Sequence, residues 1–142
     1  MAISSAICNS FKQEILVGTH NLTASSGDTF KLALFTSSAS SGAATTAYST
    51  SNEVSGTGYS AGGATLTSVT PTTDGTTAVC DFSDVSFTSA SFTANGCLIY
   101  NSSQSDKAVA VIAFGGDKTV SCGTFTIQFP TADASNAIIR IA

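Results

Sequence analysis

Apolar and polar residues alternate along this chain mostly with a period of two, and the pattern predicts a domain built mainly of strands. One segment departs from it. Over residues 5–17, Cys8, Phe11 and Ile15 recur at helical spacing, Ile7 and Leu16 widen the stripe, and Lys12, Gln13 and Glu14 fall opposite. Gly18 ends this predicted helix. Phe30, Leu32 and Leu34 then share one face of a predicted strand, 30–36. Residues 37–63, rich in Ser, Gly, Ala and Thr, read as one long loop, and a loop of that length inside a compact domain is usually functional or mobile. Segments 64–70 and 76–82 flank Pro71-Thr-Thr-Asp-Gly75, whose Asp-Gly suits a hairpin turn. Further strands are predicted at 85–88, 91–93, 97–100, 108–114, 123–129 and 137–141. Alternation is cleanest near the end, with Phe125, Ile127 and Phe129 on one face and Thr124, Thr126 and Gln128 on the other.

Together these elements predict a mostly β chain, an antiparallel β-sandwich or jelly-roll-like barrel with one N-terminal α-helix. The 142 residues suit a single domain, 1–142, in which 30–141 form the β body. Composition sharpens this picture. Apolar residues make up 42% and charged residues only 10%, so solubility falls to the 23 serines and 21 threonines, which favour extended backbone and turns. The net charge of −4 and five scattered cations leave no basic stripe, which argues against nucleic acid as a partner. No apolar run reaches the length needed to span a membrane. The first residues have no basic stretch of the kind that opens a secretory signal, so synthesis and assembly in the cytosol are expected.

Cys8, Cys80, Cys97 and Cys122 lie far apart and form no C-x-x-C pair. Cys80, Cys97 and Cys122 fall in apolar runs, where a reduced thiol acts as a small buried hydrophobe. Gly58-Tyr-Ser60-Ala-Gly62 matches the G-x-S-x-G nucleophile elbow by letter, but that elbow needs a strand before it and a helix after it. Here a loop precedes, a Thr-rich strand follows, and the one histidine, His20, comes upstream. His20 is expected to be solvated, just beyond the helix. Asp81 and Asp84 are expected on exposed strand ends. No catalytic residue, metal site or cofactor is predicted.

Asn52-Glu-Val-Ser-Gly-Thr-Gly-Tyr-Ser-Ala-Gly-Gly63, running into Ala64-Thr-Leu-Thr, resembles a recurrent segment of small structural proteins of tailed bacteriophages. Helix Asn9-Ser-Phe-Lys-Gln-Glu-Ile-Leu16, strand Phe30-Lys-Leu-Ala-Leu-Phe35 and strand Phe125-Thr-Ile-Gln-Phe129 follow the order of those proteins. The resemblance implies a virion structural protein, a capsid decoration or cement subunit bound to the major capsid protein or other virion proteins. It also implies a homo-oligomer, with a trimer expected. A tail or fibre component is the alternative, and a small carbohydrate-binding module is a second one. On this reading the loop residues Val54, Gly56, Gly58, Tyr59 and Gly62 form a protein interface, with Tyr59 as its large side chain. The competing expectation is that Tyr59 folds back onto its own domain.

Overall fold

The computed structural model describes residues 2–142. Strand accounts for 49% of the chain and helix for 8%, in two antiparallel sheets with one N-terminal helix, so the mostly β expectation holds. The elements are β1 (Ala6–Ile7), α1 (Asn9–Leu16), β2 (Phe30–Phe35), β3 (Ala64–Thr65), β4 (Ser68–Asp74), β5 (Thr77–Phe82), β6 (Val85–Asn101), a 3-10 turn (Ser102–Gln104), β7 (Lys107–Ile127) and β8 (Ile139–Ile141). The larger sheet runs β1-β7-β6-β2-β3 and the smaller β4-β5-β8.

The helix is shorter than its predicted span of 5–17. Ala6 and Ile7 pair with Val111 and Ala110 of β7, so the chain enters along a sheet edge. Cys8 then holds an extended conformation at the helix start, with no side-chain cap. Backbone pairing satisfies the amides of this segment better than a frayed first helical turn would.

The short strands predicted between 85 and 129 merge into two long ones. β6 and β7 pair from Val85↔Ile127 to Asn101↔Lys107, with register shifts that break the alternation into the pieces seen in the sequence. The largest excursion lies between Ala94↔Lys118 and Gly96↔Ala113, where residues 114–117 swing out of register and Gly115 and Gly116 take positive φ. The predicted hairpin is present but shifted: residues 64 and 65 pair with β2 in the other sheet, β4 runs on through Pro71 to Asp74, and the turn closes at Asp74↔Thr77 with Gly75 at φ +62°.

β2 lies between β3 and β6 and buries both faces, so Ala33 and Phe35 are buried as well as Phe30, Leu32 and Leu34. The sheets meet where Phe30 of β2 packs on Phe82 of β5 at 5.9 Å, and Phe82 continues to Phe129 at 5.6 Å. Phe11 of α1 joins the same chain of rings through His20. Burial of each of the phenylalanines Phe11, Phe30 and Phe82 stabilises the fold by about 1.5–3 kcal/mol.

All four cysteines are free. Cys8, Cys80 and Cys97 are buried, but Cys122 is exposed, which corrects its expected placement. It sits on a bulge at φ +50°, and its N–H bonds to Ser91 Oγ, so the register shift turns it out of the core. Burial, reinforced by Glu14, pushes the Cys8 thiol up to about 11. Burial does the same to Cys80, with Asp81 adding to it, and to Cys97, each to about 12. Thiol titration of the native protein at neutral pH should therefore show one fast group, with three released only on unfolding. Loss of the fast group in Cys122→Ser identifies it, whereas four equally fast thiols would contradict this core.

Candidate functional site

The loop 37–63 is irregular yet tied down at many points. Its backbone bridges Phe35 to Glu53, Ala47 to Lys107 and Thr57 to Ser91. Gly58, at φ +81°, lies so close to Ala90 that a side chain there would collide with its backbone. Gly63, at φ +79°, approaches the backbone of Leu32 in the same way.

At the centre of the loop is a carboxylate that the sequence did not single out. Glu53 accepts from the Tyr48 hydroxyl at 2.7 Å, the Tyr59 hydroxyl at 2.5 Å and the Gly62 N–H at 2.8 Å. Tyr100 donates to the Gly62 carbonyl at 2.6 Å and stacks on Tyr48 at 4.5 Å. Tyr59 also accepts from the Leu34 N–H at 2.9 Å, and its ring packs on Phe87 and Phe92. Burial, then the Glu53 carboxylate, pushes the Tyr48 and Tyr59 hydroxyls up. Burial, then Asp106 and Glu53, brings Tyr100 up to about 12. All three hydroxyls stay protonated donors at neutral pH, so Glu53 braces the loop on the sheet.

The predicted interface residues therefore have unequal positions. Val54 is buried and its N–H bonds to the Leu34 carbonyl, Gly62 is buried, and Tyr59 points inward onto its own domain. Gly56 and Gly58 remain exposed, between exposed Ser55, Thr57 and Ser60. Ser60 lies in a loop leading to β3, not between a strand and a helix.

His20 is buried, at 6% exposure, which corrects the expectation of a solvated residue. Its ring lies 4.8 Å from Phe11. Nε2 bonds to Glu14 at 2.9 Å, and Nδ1 meets Asn101 Nδ2 at 2.9 Å. Asn101 is fully buried, and its Oδ1 accepts from the Ser103 N–H, so its amide nitrogen is the atom left for His20 and for Asp28 at 2.8 Å. That orientation makes Nδ1 the acceptor and Nε2–H the donor to Glu14. Lys107 adds a looser contact to Glu14 at 3.6 Å. Both ring nitrogens are thus engaged, and no hydrogen bond links His20 to Ser60 among the described residues. Burial opposes the charge of Asp28, but bonds from Asn101, Asn21 and Gln104 outweigh it and hold the carboxyl below its usual range.

Beside His20 opens a cleft of about 430 Å3 between α1 and the small sheet. Phe11, Ile15, Leu22, Pro71, Val79, Cys80, Ile139 and Ile141 line it, with His20 and Asn21 on its polar side. Its surroundings are unusually apolar. Leu16 and Val17, next to Ile15, are 85% and 67% exposed, and Ile141 is 58% exposed. No group of three or more His, Cys, Asp or Glu side chains among the described residues could hold a metal ion. No helix among them is long and apolar enough to cross a membrane. Comparison with family models, curated proteins and solved structures finds no match.

Tyr59→Phe removes one donor and one acceptor while keeping the ring, and should lower stability by about 1–3 kcal/mol in urea unfolding. A change near zero would show that Glu53 does not hold the loop through this hydroxyl. Because the folded-state value of Asp28 is depressed, its contribution is full above the unfolded value of about 3.9 and fades as pH falls through the folded one. Between about pH 5 and pH 2, Asp28→Asn should therefore lose less stability than the wild type, read from urea midpoints.

Proposed function

We infer that this chain is a structural subunit of a virion, a decoration or cement protein on the head of a tailed bacteriophage. The observation that carries the reading is the apolar end of the molecule, where Leu16, Val17 and Ile141 stand in water around an open, apolar cleft. Exposed apolar residues grouped in this way mark surfaces that other proteins cover. The resemblance of segment 52–67 to phage structural proteins supplies the class of partner, a major capsid protein or another virion protein. A trimer set on a symmetry axis would repeat the same weak contact many times and so reinforce a shell without tight single sites. The sparse charge of the chain agrees with this role, since interface cores are depleted in charged residues.

Quantitative mass spectrometry of purified particles should find the protein in hundreds of copies, and heads lacking it should burst at a lower temperature. Leu16→Ser with Val17→Ser, both on exposed positions, should weaken attachment to empty capsids while leaving the folded protein intact. A handful of copies per particle would move the protein to the tail. Capsids of equal stability with and without it would remove the reading.

A further inference from the structure

Past Ala113, β7 has a strand neighbour on one side only, β6, because β1 reaches no further than its pairing with Val111 and Ala110. The other edge of residues 118–127 carries backbone donors and acceptors that no other strand among the described residues meets. Natural sheets protect such edges with charges, prolines or bulges, and here Lys118 guards one end and the bulge at Cys122 the middle, which leaves 123–127 unguarded. Residues 123–127, Gly-Thr-Phe-Thr-Ile, contain neither a charge nor a proline.

A second feature coincides with that edge. A shallow groove of about 400 Å3 is lined by Phe114, Lys118, Phe125, Thr126 and Ile127. Phe125 and Ile127 alternate along the strand and are half-buried, while Thr124 and Thr126 between them are exposed. The groove floor joins the domain's aromatic cluster, since Phe125 packs on Phe92 at 5.2 Å and Phe114 on Phe125 at 6.2 Å. Its one ionic group is Lys118, which is exposed and joins no ion pair among the described residues.

We propose that residues 123–127 are a docking edge for an extended segment of another protein, which adds a strand beside β7. Alternate apolar side chains of that segment lie on Phe114, Phe125 and Ile127, and a carboxylate on it pairs with Lys118. Each feature of the occupant follows from a feature of the site. The open edge requires extended backbone, the two-residue spacing of Phe125 and Ile127 requires apolar residues at alternate positions, and the Lys118 ammonium beside them favours an acid. A lipid or small apolar ligand would fill the groove but leave the edge unpaired. The inference deepens the assembly reading by naming the chemistry of one contact, and it rests on that reading for its biological partner alone.

The test uses the purified full chain and a labelled peptide of about eight residues that alternates valine with threonine and carries one glutamate. Fluorescence anisotropy at low salt should show saturable binding. N-methylation of the peptide amides that face the edge should abolish it, because pairing needs those donors. Lys118→Glu, on an exposed position, should weaken binding about threefold to fivefold, and replacing the peptide's glutamate by lysine should restore it with that variant. Binding that survives N-methylation, or charge changes with no effect, would overturn the proposal. So would no binding at about 1 mM peptide, or sedimentation showing that two copies pair through this edge. Peptide binding by a protein found absent from particles would sink the assembly reading and leave the docking edge standing.

Discussion

The long pairing of β6 with β7 is the constraint on which the rest of the molecule depends. Seventeen residues of β6 and 21 of β7 run side by side, and the other strands of the larger sheet and the helix take their places from them. β1 and β2 pair on opposite sides of this ribbon, and β3 follows β2. The loop before β3 lies against Ser91, Ala90 and Phe92 of β6. Such a scaffold must be built from contacts distant in sequence, so its ordering entropy is repaid only when the whole sheet forms.

Two polar hubs, one half-buried and one fully buried, fasten the irregular parts to this scaffold. One is Glu53, which collects two tyrosine hydroxyls and a backbone N–H around the loop. The other is Asn101, at the end of β6, which binds the ring of His20, the carboxylate of Asp28 and the N–H of Ser103. Buried polar groups destabilise a core unless their hydrogen bonds are satisfied, and both hubs meet that condition with partners from separate segments. Fully satisfied networks of this kind favour one arrangement over near alternatives, because any shift leaves a donor or acceptor unpaired.

What remains outside this internal order is concentrated in two places, the apolar end around α1 and β8 and the free edge of β7. Elsewhere the surface of the ribbon carries hydroxyls that satisfy one another, as in Ser86 with Thr126 and Thr93 with Thr119. A chain with so few charges has little electrostatic protection against association. The apolar end and the open edge are therefore where association has most to gain, one through apolar area and the other through backbone pairing.

The sequence by itself determined the class of fold, because alternation in segments such as 124–129 and the β-branched, hydroxyl-rich composition leave little room for helices. It also placed the one helix and the Asp74-Gly75 turn, both governed by neighbours within a few residues. It divided β6 and β7 into fragments, since bulges interrupt the period of two without ending the pairing. Only the tertiary structure decided the fates of His20, Glu53 and Cys122. His20 is buried by Phe11 and by Asn101, 81 residues away, and Glu53 gains its meaning from Tyr59 and Gly62 across a folded loop. Cys122 is exposed by a register shift against β6. Local periodicity reports which face a residue prefers, but the partner that rewards or overrides that preference is supplied by distant chain.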